Sequence, residues 1–257
     1  MIPPDDRGFT LGDGLFETML AEAGAIAELD AHLDRMAAGC TVLGLPPLDR
    51  VLAEHAMRRA LAEAGLAHAR AAVRLTLTAG SGGRGLDRPA HVRPRLVATA
   101  APAPIPATPA RLAIASVRRN DGSPAARLKT LAYLDNVLAR REAQAAGADE
   151  AVMLNTRGQL ACAAAANLFW IANGRLFTPA LDCGVLPGVV RGRVLVAAAE
   201  LGTPVAEVAV GPEILARAEA IFLTNSLIGL RPVAEVDGKM CGMSRLVDIL
   251  LGAIGAS

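Results

Sequence analysis

Aromatic side chains are scarce in this sequence, at 3% of 257 residues, although hydrophobic residues make up 53%. The core must therefore be built mainly from Ala, Leu and Val, in one large or two modest domains. Lysine is also rare: of the 26 lysine and arginine residues, only Lys129 and Lys239 are lysines. A formal net charge of +1 provides no field that attracts nucleic acid or acidic membranes, so we expect small molecules or another protein chain as partners.

Paired cysteine motifs are missing as well. The four cysteines are Cys40, Cys162, Cys183 and Cys241. Their spacing is not that of a metal knuckle or a redox dithiol, so we expect no metal and a reduced, cytoplasmic protein. The opening residues MIPPDDRGF lack the layout of a secretory signal. The longest uncharged run, residues 158–174, is shorter than the roughly 20 apolar residues of a membrane span.

The lysine of greatest chemical interest lies in RLKTLAYLDNVLARRE, residues 127–142. Apolar residues recur there at helical spacing and are Leu131, Leu134, Val137 and Leu138. This pattern predicts a helix that begins at Lys129, where the helix dipole disfavours a cation, so the position favours a chemical role. Lysine can condense with an aldehyde when its amine is neutral, whereas arginine cannot. The alternative is an ordinary surface cation.

The first half of the chain alternates predicted strands and helices. AAVRLTLT predicts a half-buried strand with Val73, Leu75 and Leu77 on one face. The following GSGGRG has the glycine spacing of a dinucleotide-binding loop, which requires a helix at its last glycine. Because prolines follow at positions 89 and 94, we reject that interpretation and expect a loop that carries Arg84.

The second half contains three features that fit a phosphorylated aldehyde. A helix is predicted after Gly188, and its first backbone N–H groups, at Val189 and Val190, can hold a phosphate. The predicted strand AEAIFLTNS ends in small polar residues that include Asn225 and Ser226. Lys129 supplies the amine. We place a small first domain at residues 1–118, a connecting loop at 119–127 and a cofactor-binding domain at 128–257.

Eight motifs in the same order resemble the class IV, D-amino-acid-transaminase-like pyridoxal-phosphate enzymes. They are DRGFTLGDGLFET, HLDRM, RLTLTAGSGGRG, LKTLAYLDNVLARREA, GADEAVML, ANLFW, GVLPGVVR and FLTNSLIGLRPV. The resemblance implies the two-domain α/β (α+β) architecture of fold type IV, pyridoxal 5'-phosphate in the cleft between the domains, and a homodimer. GSGGRG and TNSLIGLRPV most resemble bacterial aminodeoxychorismate lyases, which release pyruvate and p-aminobenzoate for folate synthesis.

The resemblance also implies the roles of particular residues. Lys129 would bind the cofactor covalently, and Tyr133 would reach its phenolic oxygen, although a structural tyrosine is an equal alternative. The residues implied for the phosphate are Arg35, Val189, Val190, Asn225 and Ser226. The residues assigned to the substrate are Arg84, Phe16 and Thr18, of which Thr18, like Ser226, could assist a proton transfer. Related D-amino-acid enzymes have a histidine where this chain has Leu86, which disfavours a D-amino-acid substrate.

Cys162 is the main departure from the family pattern. The family has a glutamate five residues before the asparagine of ANLF, where this chain has Cys162. That glutamate keeps the pyridine nitrogen protonated, whereas a thiol is a weak hydrogen-bonding partner. We therefore expect lyase chemistry to be favoured over transamination. The alternatives are a class IV aminotransferase acting on branched-chain or other amino acids, and a cofactor-free pseudoenzyme that binds a metabolite.

Overall fold

The computed structural model describes residues 2–255, which form two compact units. The first unit contains the residues up to Ile105 together with Leu128–Ala132. The second contains Pro106–Arg127 and the residues from Tyr133 onward. Each unit has its own sheet and its own buried apolar clusters.

The first unit is built on a four-stranded antiparallel sheet in the order β2-β1-β3-β4. Its strands are β1 (Gly14–Glu22), β2 (Ala25–Ile26), β3 (Ala71–Thr78) and β4 (Arg95–Pro102). Strand β3 alternates as predicted, because Val73, Leu75 and Leu77 are buried while Arg74 and Thr76 are only partly covered.

Three helices accompany this sheet: α1 (Arg7–Leu11), α2 (Leu29–Leu43) and α3 (Arg50–Glu63). Helix α2 buries Leu33, Met36 and Cys40 in one cluster with Met19 of β1. Helix α1 forms in a glycine-punctuated segment near the start of the described residues. The Asp6 carboxylate accepts hydrogen bonds from the first backbone N–H groups of α1, which stabilises the short helix.

The second unit is built on a nine-stranded sheet, with the order β10-β9-β8-β11-β12-β5-β6-β7 and β13 paired to β12. Its strands are β5 (Ala110–Arg119), β6 (Glu150–Asn155), β7 (Leu160–Ala163), β8 (Asn167–Ala172), β9 (Arg175–Pro179), β10 (Val205–Val208), β11 (Ala220–Asn225), β12 (Gly229–Val236) and β13 (Lys239–Met240). The pairs β5–β6, β5–β12 and β9–β10 are parallel. Both units therefore mix helices with sheets, as the α/β class predicts.

The helices of the second unit are α4 (Leu134–Ala145), α5 (Val189–Glu200) and α6 (Arg245–Gly255). Val194 of α5 and Leu250 of α6 are buried in one cluster with Phe169 and Phe222. The two phenyl rings stack with centroids 5.0 Å apart. Helix α4 buries Ala139 and Ala143 against the β6 strand, in the cluster that also contains Cys162.

The predicted helix start at Lys129 is wrong, because α4 begins five residues later, at Leu134. Residues 129–131 instead extend along β1, and Thr130 forms a bridge with Leu15. The dipole argument for Lys129 therefore does not apply. The predicted apolar stripe also faces outward, since Leu134 is 68% exposed and Val137 51%.

The observed division of the chain also differs from the predicted one, which divided the chain at residues 119–127. Strand β5 belongs with the second unit because it pairs with β6 and β12. Leu128–Ala132 belong with the first unit because this segment pairs with β1 and Leu128 packs in its core.

The Asn173-Gly174 dipeptide, a sequence typical of two-residue hairpin turns, connects β8 to β9. Ala172 of β8 pairs with Arg175 of β9, and both turn residues have positive φ, at 51° and 67°. In the part of the chain that the structure describes, no helix is long and apolar enough to cross a membrane.

Candidate active site

Lys129 is held by backbone pairing with β1. Its carbonyl oxygen accepts a hydrogen bond from the Phe16 N–H at 2.9 Å, and the Leu131 N–H donates to the Gly14 carbonyl at 3.0 Å. These two hydrogen bonds flank the antiparallel bridge between Leu15 and Thr130, so Lys129 lies beside Phe16. An extended backbone fixed at two points defines the direction of the lysine side chain more closely than a free loop does.

Two cations contact the Phe16 ring. The Nζ atom of Lys129 lies 4.5 Å from the ring centroid, and the Cζ atom of Arg74 lies 3.7 Å from it. Both distances are within cation–π range. Arg74 was not predicted as a site residue, although strand alternation already placed it apart from the apolar face of β3. Thr18, another predicted residue, lies directly opposite Arg74 in the β1–β3 register.

Arg35, on α2, binds the carboxylate of Glu17, on β1. The Nε atom lies 2.7 Å from Oε1 and Nη2 lies 2.5 Å from Oε2. His32, one turn before Arg35, contacts the same carboxylate through Nδ1 at 2.7 Å. Burial alone would raise the pKa of Glu17, but hydrogen bonds from His32 and Arg35 outweigh it and lower that pKa. Glu17 and His32 were not predicted as site residues.

Arg84 lies at an exposed position in a loop that is fastened to α1. The guanidinium of Arg7 donates to three consecutive carbonyls of this loop, those of Gly85, Leu86 and Asp87. No helix follows Gly85 in the described chain before β4 begins at Arg95. The predicted loop is therefore confirmed, and the helix that a dinucleotide-binding loop requires does not follow it among the described residues.

In the second unit, Gly188 is the N-cap of α5 and has an extended backbone, and among the described residues no side chain caps the helix. The N–H groups of its first turn, at Val189 and Val190, lack a capping side chain and can receive an anion. Asn167 packs against this start: its Nδ2 donates to the Leu186 carbonyl at 3.0 Å. A Cβ at Gly188 would lie 2.0 Å from the Asn167 Oδ1, so only glycine fits there.

Asn225 and Ser226 form a turn next to this helix start. Thr224 pairs with Asn167 in the β8–β11 register, which brings the end of β11 beside α5. The Asn225 Oδ1 accepts from the Leu227 and Ile228 N–H groups, and its Nδ2 donates to the Ala165 carbonyl. The side chain of Asn225 thus shapes the turn. The buried Thr224 Oγ1 has no hydrogen-bond partner within residues 2–255.

The short connection between β7 and β8 accepts hydrogen bonds from helix α4 and from the turn at Asn225. Asn136 of α4 donates to the Ala164 carbonyl at 2.7 Å, and Asn225 donates to the next carbonyl along the chain. Tyr133 lies at the N-cap of this same α4 helix. The second unit therefore connects the Tyr133 helix, the 225–228 turn and the end of β7.

Cys162 lies on β7, opposite Met153 of β6, and its side chain is buried. Burial raises the pKa of the Cys162 thiol, so the group is protonated at neutral pH. Burial also raises the pKa of the nearby Glu150 carboxyl, against the lowering effect of Arg140, whose Nη1 lies 2.6 Å from it. The position matched to the family glutamate thus holds a neutral hydrogen-bonding group.

A separate cavity of about 330 Å³ lies in the second unit, lined by residues that include Ile114, Leu215 and Lys239. None of the predicted site residues lines it. Among the described residues, no group of three or more His, Cys, Asp or Glu side chains could hold a metal ion.

The residues present fit pyridoxal phosphate. The first unit offers the amine of Lys129, which can condense with an aldehyde, beside the ring of Phe16. The second offers the uncapped N–H groups of α5 beside the Asn225 turn and the unpaired Thr224 hydroxyl, as a phosphate requires. These features fit an enzyme that uses a phosphorylated aldehyde cofactor.

The chain belongs to the class IV amino-transferase family, whose profile matches residues 14–236. Membership of this family indicates a pyridoxal-phosphate-dependent enzyme. The chain is 32% identical over 250 residues to a Methanocaldococcus jannaschii protein named provisionally as a branched-chain-amino-acid aminotransferase, covering 95% of this chain and 85% of the relative.

Two lyases are similar to the chain over most of its length. The aminodeoxychorismate lyase of Vibrio harveyi is 30% identical over 242 residues, covering 91% of this chain and 87% of the relative. The crystal structure of 4-amino-4-deoxychorismate lyase from Pseudomonas aeruginosa is 32% identical with a TM-score of 0.88, covering 100% of this chain and 95% of that one. The fold is therefore the type IV fold that the sequence motifs indicated.

Proposed function

We propose that the chain is a pyridoxal-phosphate-dependent 4-amino-4-deoxychorismate lyase that releases pyruvate and p-aminobenzoate. The observation that carries this proposal is the buried, protonated thiol of Cys162 at the position of the family glutamate. The likeness to the lyases of Vibrio harveyi and Pseudomonas aeruginosa supports it.

Pyridoxal phosphate, when bound, supplies an aldehyde for the substrate amine and a ring that accepts electrons. Lys129 would hold the cofactor through its amine and would act as general base for the proton on the amine-bearing substrate carbon. Arg84 binds a substrate carboxylate, and Phe16 packs beside the reacting groups. A hydroxyl, of Thr18 or Ser226, assists protonation of the leaving enolpyruvyl group.

The cofactor phosphate is assigned to Arg35, to the backbone of Val189 and Val190, and to the turn at Asn225 and Ser226. Because the side chain of Asn225 is engaged within the turn, its contribution is to hold Ser226 in place. Tyr133 is assigned to the phenolic oxygen of the cofactor.

Cys162 favours elimination over transamination for a physical reason. Transamination requires a long-lived carbanion, which a protonated pyridine nitrogen stabilises, and a neutral thiol does little to keep that nitrogen protonated. Elimination of pyruvate forms an aromatic ring, so it needs less electron withdrawal by the cofactor.

Replacing Cys162 with Glu should therefore raise half-transamination of amino acids relative to lyase activity. Release of pyruvate and p-aminobenzoate from freshly generated aminodeoxychorismate gives the lyase rate. Single-turnover spectra with amino acids give the rate of half-transamination. Cys162→Ser is the matched control, since it removes the thiol without adding an acid and should leave the ratio near that of the parent. An unchanged ratio in Cys162→Glu would refute the role of Cys162.

The likeness to the Methanocaldococcus jannaschii protein supports a second candidate, a branched-chain aminotransferase. That enzyme would use the same cofactor residues, so the two candidates differ in substrate and in reaction type. Keto-acid-dependent amino transfer from leucine or valine, without p-aminobenzoate release from aminodeoxychorismate, would establish it.

The proposal includes a homodimer in the cytoplasm. A reduced compartment fits the four free cysteines, three of which are buried. Sedimentation equilibrium of the purified holoenzyme tests the dimer, and a mass of one chain would overturn that part of the proposal.

A further inference from the structure

We propose that Glu17 and His32 are positioning residues, which hold the Arg35 guanidinium ready for a phosphate. The inference rests on the proposed function, because that function gives Arg35 its anion. It adds two residues that neither the sequence motifs nor the family membership assigned a role.

The geometry is a two-point contact in a dry environment. The Glu17 carboxylate receives Arg35 Nε on one oxygen, at 2.7 Å, and Arg35 Nη2 on the other, at 2.5 Å. His32 Nδ1 lies 2.7 Å from the second oxygen. Glu17 is 1% exposed and His32 is fully buried, so both groups are shielded from competing water.

The protonation of this cluster follows from its contacts. The pKa of Glu17 is lowered, so the group is a carboxylate and can only accept hydrogen bonds. His32 must therefore carry a proton on Nδ1, which fixes its tautomer and ring orientation. The 3.5 Å separation between Arg35 Nη2 and His32 Nδ1 is then a contact between two donors that share one acceptor.

The two-point contact fixes the plane of the guanidinium. Because Nε and Nη2 face Glu17, the planar geometry of arginine puts Nη1 on the side away from Glu17. A guanidinium held in one rotamer loses less conformational entropy when an anion binds, so its affinity for that anion is higher. Removal of the Glu17 charge should weaken this two-point contact while the guanidinium itself stays in place on Arg35.

Binding of inorganic phosphate to the cofactor-free full-length protein tests this inference without relying on activity. The phosphate Kd is measured by calorimetry and by the phosphate-induced rise in thermal midpoint. Glu17→Gln should weaken phosphate binding about 10-fold, as expected when about 1.4 kcal/mol of binding free energy is lost. A purely structural role would lower the thermal midpoint with and without phosphate alike, and would leave the phosphate-induced rise unchanged.

Glu22→Gln is the matched control, since Glu22 lies on the same strand and pairs with Arg70 at 3.2 Å in an exposed position. It should bind phosphate like the parent protein. If Glu17→Gln does not fold, His32→Leu takes its place, and His32→Asn should restore binding because the asparagine amide can donate to Glu17 as Nδ1 does.

Arg35→Gln separates this inference from the proposed function. If that variant binds phosphate like the parent, the assignment of Arg35 to the phosphate fails. If Arg35→Gln weakens binding while Glu17→Gln or His32→Leu does not, Arg35 keeps its role and the positioning role of Glu17 and His32 is overturned.

Discussion

Arg35 and Lys129 contact neighbouring residues of one strand, β1. Arg35 binds Glu17, and Lys129 lies over the ring of Phe16. Sequence motifs identified both cations but not their partners. Glu17 lies 18 positions from Arg35, and Phe16 lies 113 positions from Lys129, so only tertiary packing brings each pair together. Such partners become visible only in the folded structure.

Asp13 is a residue whose stabilising role has a defined pH dependence. Its carboxylate accepts from Arg88 Nη2 at 2.5 Å, Arg88 Nε at 2.9 Å and Arg7 Nε at 3.0 Å. The hydrogen bond from Arg88 is the main cause of the lowered pKa of Asp13, and Arg7 adds to it against the effect of burial. Asp13→Asn should reduce the free energy of unfolding by about 1–3 kcal/mol at neutral pH.

The sign of the pH effect follows from the lowered pKa. Since the folded-state pKa of Asp13 lies below its unfolded value, its contribution is present above the unfolded value and is lost as the pH falls through the folded one. Urea unfolding should therefore show a larger difference between parent and Asp13→Asn at neutral pH than at about pH 3. A difference that grows toward acid pH would contradict this account. Asp30→Asn, at an exposed pair with Arg50, is the control and should leave the free energy of unfolding nearly unchanged at both pH values.

At the scale of elements, the start of α5 depends on a glycine. Gly188→Ala would place a methyl group 2.0 Å from the Oδ1 atom of Asn167, a buried residue whose Nδ2 donates to the Leu186 carbonyl. We expect a loss of about 1–3 kcal/mol in the free energy of unfolding, because Asn167 has little room to move. The phosphate affinity should fall as well, since the N–H groups of Val189 and Val190 would shift.

Gly192→Ala, one turn further along α5, is the matched control. Nothing lies within 4 Å of the added Cβ, and the position is exposed within the helix. Alanine there should stabilise the protein by about 0.5–1 kcal/mol through helix propensity. Chemical denaturation of both variants gives the comparison, and equal effects of the same sign would show that the contact with Asn167 is unimportant.

Elements with strong local signals could be predicted from the sequence. The alternation of β3 and the Asn173-Gly174 turn are examples, because their patterns determine local backbone geometry. The start of α4 could not, since the helical spacing of Leu131 and Leu134 continues across a segment that pairs with β1 instead. There, tertiary hydrogen bonds outweigh helix propensity.

At the scale of the whole molecule, the order of eight motifs was sufficient to identify the family and its fold. The positions of the site residues could be predicted only in part. The sequence correctly predicted that a helix begins after Gly188 and that a strand ends near Asn225. Arg74, Glu17, His32 and Asn167 were missed because each acts through a partner that is distant in the chain.

The scarcity of lysine makes the most direct test of the central claim unusually clear. The protein is loaded with pyridoxal phosphate, reduced with sodium borohydride and digested, and the pyridoxyl label is located by mass spectrometry. Because Lys129 and Lys239 are the only lysines, each has its own peptide, and Lys129→Ala controls for labelling elsewhere. We predict a label on the Lys129 peptide that disappears in Lys129→Ala, whereas a label on Lys239, or none, would contradict the account.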